Sequence, residues 1–202
     1  MKKKIFISSF LAGIFISIGG CVNLLSPNNI IGAIMFSIGL YSIVCFSFSL
    51  FTGQVGYWID NGLTFAQKLG IILLGNFVGT FVSGIVLSLT RHESIVQGAT
   101  ALSTVKLADT PQSIFILSIF CGILMFTAVE LYRRTKNPLG IFVCVPVFIL
   151  SGFEHCVANM FYISAASMWS IKAVFYMIIM ILGNTAGGLL IPALLKLKDK
   201  IK

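Results

Sequence analysis

Within an apolar run from about Leu139 to Ile163, the sequence reads Ser151-Gly152-Phe153-Glu154-His155-Cys156-Val157-Ala158-Asn159-Met160. An acid, a histidine and an amide are costly in hydrocarbon, and ionisable groups at that depth mark permeation paths or proton relays. Helical phase sorts them: His155 and Asn159 share a face, whereas Glu154 and Cys156 point about 100° to either side. A Glu154–His155 or His155–Cys156 dyad, which would need nucleophile and base within hydrogen-bond reach, is thereby disfavoured. No catalytic residue is assigned, and a membrane enzyme using Cys156 or His155 is the lesser reading. His155 reads either as a proton donor to a weak acid or as a neutral ring held by loop backbone.

These residues need a housing that keeps them at depth. The 202 residues are 57% hydrophobic and 10% charged, with a mean hydropathy of +1.01, which describes an integral membrane protein rather than a soluble domain. Apolar runs of roughly 20 residues each cross a hydrocarbon core about 30 Å thick. The expected spans are Ile5 to Leu25, Ile30 to Trp58, Ala66 to Leu89, Ser113 to Tyr132, Leu139 to Ile163 and Ile171 to Leu195. The first is too long for a signal peptide and lacks a cleavage site, so it is read as a mature helix. Thr90 to Gln112 is polar and reads as the longest loop. The second span is interrupted near Leu50-Phe51-Thr52-Gly53-Gln54 and the fifth near Ser151-Gly152. Broken helices are tolerated at depth where their backbone lines a cavity or is buried in protein.

Six spans put both termini on one side. That side carries Lys2, Lys3, Lys4, Lys68, Arg133, Arg134, Lys136, Lys196, Lys198, Lys200 and Lys202, against Arg91, Lys106 and Lys172 on the other. The asymmetry makes the terminal side cytoplasmic and the net charge of +8 a topology signal rather than a nucleic-acid surface. The expected location is the inner (plasma) membrane, with the bilayer as partner. Five scattered cysteines without a CxxC pair suggest neither a disulfide frame nor a metal site, and no cofactor is expected.

The halves echo one another. Ser9-x-x-x-Gly13-Ile14 recurs as Ser118-x-x-x-Gly122-Ile123, and Gly75-Asn76-x-x-Gly79 as Gly183-Asn184-x-x-Gly187. One transmembrane domain over residues 1–202 is expected, with repeats at about 5–90 and 113–196. An odd number of helices per repeat inverts the second copy, and inverted repeats with discontinuous helices hold a substrate path at the midplane. His155 and Asn159, opposed by Thr52 from the other break, form the coherent centre. Asn76 and Asn184 read as ties on the broken helices. Glu154 reads as a support, holding loop amides or a neighbouring subunit.

Leu50-Phe51-Thr52-Gly53, the Glu154-His155-x-x-Ala158-Asn159-Met160 run, Phe10-Leu11-Ala12-Gly13-Ile14-Phe15-Ile16 and the paired Gly-Asn motifs together resemble the formate/nitrite transporter family. The resemblance implies an all-α, aquaporin-like protomer with one pore, assembled as a homopentamer. Its implied cargo is a small monovalent anion or conjugate weak acid: formate, nitrite, hydrosulfide or a short carboxylate. It also implies a pore centre at Thr52 and His155 with Asn159 beside them; Gly53, Gly152, Glu154, Asn76 and Asn184 are read from their own types and places as supports of the breaks. Apolar constrictions are implied at Leu50 and Phe51 and, by ungapped spacing, at Phe36, Leu40 and Phe148. A vestibule lysine of the family is replaced by Ser8; Lys106 is the candidate for a second. The rival reading is a neutral-solute pore for water or glycerol, which lacks the Asn-Pro-Ala repeats of aquaporins.

Overall fold

A backbone in hydrocarbon must satisfy its own polar groups, so a chain this apolar has helices as its main option. The computed structural model describes Lys2–Ile201, and Met1 and Lys202, the latter counted among the cytoplasmic cations, lie outside the described residues. The helices are α1 (Lys2–Leu25), α2 (Asn29–Cys45), α3 (Phe51–Gln54), α4 (Trp58–Ser88), α5 (Glu93–Ala108), α6 (Pro111–Thr135), α7 (Leu139–Leu150), α8 (Cys156–Ala165) and α9 (Ile171–Lys200); a 3-10 turn, Val55–Tyr57, joins α3 to α4. Stretches 2–25, 51–88, 111–135 and 171–200 are long and apolar enough to cross a membrane. A non-helical Gly62, at φ 67°, divides stretch 51–88: its first part completes the span that α2 begins, as α8 completes the one that α7 begins, and the part after Gly62 forms a span of its own.

Two inverted three-helix repeats organise the molecule. In one, α1 packs on α4 and α2; in the other, α6 packs on α9 and α7. Small residues let the backbones approach. A Cβ on Gly13 would sit 2.5 Å from the Asn76 carbonyl oxygen, and one on Gly122 would meet the Asn184 carbonyl oxygen. Caps define the starts: the Asn28 side chain accepts from Ile30 and Ile31 N–H, and Thr110, followed by Pro111, accepts from Ser113 N–H.

The two breaks share one hydrogen-bond pattern. In the first, Phe46 N–H donates to the Ser42 carbonyl and Phe48 N–H to the Ile43 carbonyl; in the second, Ser151 N–H donates to the Val147 carbonyl and Phe153 N–H to the Phe148 carbonyl. Each contains a left-handed residue, Ser47 at φ 56° and Gly152 at φ 68°. The first break therefore covers residues 46–50, earlier than the expected Leu50–Gln54 interruption. Gly53 lies within α3, where a Cβ would press on the Val129 side chain, so it serves close packing rather than the break.

The expected loop Thr90–Gln112 is corrected more substantially, because most of it is helix α5. Its polar residues conceal a stripe of Ile95, Ala99 and Ser103, which is buried and recurs every four residues, as a one-sided surface helix requires. α5 packs on α8 and α1 at the end where α1 finishes, with Gly98 against Leu24. It covers the mouth opposite the chain termini.

Candidate pore centre

His155 is the N-cap of α8 rather than a residue inside a helix, which corrects the helical phase assumed for it. Its Nδ1 accepts the Ala158 N–H at 3.0 Å. A nitrogen accepting an N–H carries no proton, so in the neutral ring the hydrogen is on Nε2. Nε2 lies 2.8 Å from Thr52 Oγ1 and therefore donates to it. Thr52, in the first turn of α3, is fully buried, as is nearly all of His155. The two broken spans thus meet through one hydrogen bond between side chains 103 residues apart.

The tie asparagines build the frame around that bond. Asn76 accepts the Phe51 N–H at 2.9 Å and donates to the carbonyls of Ser9 and Ser49 at 2.8 and 2.9 Å. Asn184 accepts the Cys156 N–H at 2.9 Å and donates to the carbonyls of Ser118 and Glu154, both at 2.8 Å. Each asparagine satisfies a half-helix start and the loop before it, groups that water cannot reach.

Glu154 sits in the non-helical segment before α8, so its side chain is not turned away as the helical phase required. Its carboxylate receives Lys106 Nζ at 2.7 Å and the Asn159 amide. Asn159 also approaches Met180 Sδ at 3.1 Å. Asn159 consequently shares a cavity wall with His155 but spends its amide on Glu154. Lys106 comes from α5, and its ammonium is matched by a carboxylate rather than standing alone at a vestibule.

Two cavities flank the Thr52–His155 bond. The one beneath α5 measures about 100 Å³ and is walled by Lys106, Phe148, His155, Asn159, Tyr162 and Asn23, among others. The opposite one measures about 440 Å³ and reaches Leu50, Ile43 and Gly53. On the wall of the smaller one, Phe148 lies 5.6 Å from the imidazole and meets the Phe36 ring edge to face at 5.8 Å. Of the expected constriction residues, Leu50 lines the larger cavity and Phe148 the smaller, and Phe36 packs edge to face on Phe148; Phe36, Leu40 and Phe51 are themselves buried and line neither cavity. Sequence reasoning missed Asn23 and Tyr162. Asn23 was visible as a polar residue at the end of an apolar run, whereas nothing in its type singled out Tyr162.

The thiol offers little chemistry. Cys156 is fully buried, and both nitrogens of its neighbour His155 are engaged elsewhere. Among the described residues, no cluster of three metal-ligating side chains exists.

The family model for the formate/nitrite transporter matches residues 1–197. The chain belongs to the formate/nitrite transporter family. Among similar proteins, the formate channel FocA of Haemophilus influenzae is 31% identical over 149 residues, covering 66% of this chain and 52% of that protein. The nitrite transporter NirC of Escherichia coli is 28% identical over 180 residues, covering 76% of this chain and 65% of its own length. The chain thus spans only about half to two thirds of the length of these relatives. Among solved structures, a pentameric formate channel with formate bound superposes with a TM-score of 0.84 over 100% of this chain and 98% of that one, at 22% identity. A channel described as an FNT family ion channel superposes at 0.82 with 24% identity, covering 98% of this chain and 90% of that one. In this transporter-family chain, the fold is that of the channel protomers, and it is a membrane protein.

Proposed function

We propose that this formate/nitrite transporter family member is a channel for small monovalent anions or their conjugate weak acids, with one pore in each protomer. The observation that carries the reading is the buried Thr52–His155 hydrogen bond joining two broken helices between two cavities. Thr52 and His155 form the transport centre, with Asn159 beside it. Phe36, Phe148 and Leu50 supply apolar walls, Leu40 and Phe51 back them, and Lys106 with Glu154 lines the outer mouth. The repeats run over residues 5–90 and 113–196 of one transmembrane domain. The assembly is a homopentamer in the plasma membrane with cytoplasmic termini, and it catalyses no reaction.

The geometry suggests how the centre works. A bare anion between phenylalanine rings loses its water, at a cost far above thermal energy. The Nε2–H of His155 and the Thr52 hydroxyl are the polar groups available there to replace that water. Protonating His155 fully would require Nδ1 to give up the α8 cap. His155 therefore acts as a neutral hydrogen-bond donor, and the proton that neutralises the cargo comes from the aqueous side. The cargo crosses most readily as its conjugate acid.

Osmotic swelling of proteoliposomes tests the class of cargo. Vesicles carrying the protein are expected to swell rapidly in ammonium formate or nitrite and no faster than empty vesicles in glycerol. Rapid swelling in glycerol without anion permeation would replace this reading with a neutral-solute pore.

A further inference from the structure

The larger cavity, on the side of the chain termini, is built for something other than a three-atom cargo. Its volume of about 440 Å³ falls in the range of organic-ligand sites, about 300–1,000 Å³. Three cations stand on its wall, each over an aromatic ring that lines the same space. Lys68 Nζ is 5.0 Å from the Phe65 centroid, the Arg133 guanidinium 5.2 Å from Tyr57, and Lys136 Nζ 5.8 Å from Tyr132.

The local charge balance is positive. Glu130 and Asp60 are the carboxylates nearest in sequence to its lining residues, but neither lines the cavity; Asp60 is paired with Lys196, and Glu130 is consumed by the Tyr57 hydroxyl, two bonds from Arg133 and one from Arg134. One positive charge of that group is left over. Lys68 and Lys136 have no carboxylate partner among the described residues. Gln54 and Ser47 add uncommitted polar side chains to the wall. Positions at the end of α6 account for Arg133, Arg134 and Lys136 as complements to its dipole; Lys68, six residues past the break at Gly62, lies on the side that the charge asymmetry favours for cations, and neither reason requires the cations to converge on one cavity.

A single-charged cargo would engage one of these cations and leave the others idle, and tight capture would slow its passage, since conduction needs weak binding. A phosphate-bearing ligand brings nearly two charges and three acceptor oxygens per group, and Arg suits its geometry. Leu50 and Ile43 form the inner limit of the cavity, beyond which lies the buried Thr52–His155 pair.

We propose that this cavity binds a multivalent phosphate-bearing anion, too wide to pass Leu50, which stops transport while it is bound. The inhibitory half of the proposal rests on the channel reading above; the binding half does not.

Pyrophosphate is the probe. Its binding to the detergent-purified protein is followed by ³¹P NMR at fixed ionic strength, for the wild type, a Lys68→Gln/Lys136→Gln variant, and Lys172→Gln at the opposite end. The double variant is expected to bind at least about tenfold more weakly, since it loses two charge-assisted contacts, while Lys172→Gln matches the wild type. Both altered lysines are half-buried or exposed, so the variant should fold, as gel filtration will check. Formate flux with pyrophosphate on both faces should fall at least twofold in the wild type and stay unchanged in the double variant. Equal binding by wild type and double variant would overturn the site. Binding without slowed flux would overturn the inhibition. Absence of formate flux even without pyrophosphate would overturn the channel reading and the inhibition together, leaving the titration to decide the site.

Discussion

Two hydrogen bonds fix the character of His155, and they make opposite demands on its two nitrogens. The Ala158 N–H occupies Nδ1 and the Thr52 hydroxyl oxygen receives the hydrogen of Nε2. Thr52→Val would remove that acceptor and leave a buried donor unpaired, worth about 1–3 kcal/mol. Anion flux is therefore expected to fall roughly tenfold or more, with Thr52→Ser retaining most of it, as read by stopped-flow uptake. The Lys106–Glu154 pair makes a second, separable prediction, because both side chains are largely withdrawn from solvent, at 15% and 5% exposure. Lys106→Met strands a buried carboxylate and should cost about 3–5 kcal/mol. Adding Glu154→Gln should restore much of the loss in thermal melts of the purified protein, and two additive losses would contradict the pairing.

At the scale of elements, the asparagine frames decide where helices can break. Asn184→Leu deletes three buried hydrogen bonds at once, at about 1 kcal/mol net each and more for every group left unsatisfied. The melting temperature is expected to drop sharply, and a comparable drop is expected for Asn76→Leu. Ser47 holds a left-handed conformation that glycine adopts without strain, so Ser47→Gly should be neutral or stabilising by up to about 1 kcal/mol. The Gly-Asn pairs are legible in the sequence because close packing and a polar tie use distinctive residue types at matched spacing. The exact position of the first break is not, because Ser47 carries no mark of a turn and Gly53 nearby suggests one wrongly. α5 is hidden for a related reason: its buried stripe is small and partly polar, Ala99 and Ser103 included. The Lys106–Glu154 contact depends on that helix and on the non-helical segment at Glu154, so it too is illegible without the fold.

The whole molecule joins two inverted repeats, whose broken helices meet in the buried Thr52–His155 contact. Its outward surface keeps many large apolar side chains exposed, Phe46, Leu74, Val86 and Phe175 among them, as expected of a surface meeting lipid or neighbouring protomers. If the protein is a homopentamer, native mass spectrometry should give five times the 21.9 kDa of one chain, and a monomer stable across detergents would contradict that assembly. The central claim is that cargo passes a neutral His155 as an acid protonated from solution. It is tested most directly by formate flux into proteoliposomes over a pH series, comparing the wild type with His155→Asn. The account predicts wild-type flux rising as pH falls and the variant losing most of its flux at every pH. Flux in His155→Asn equal to the wild type throughout would contradict it.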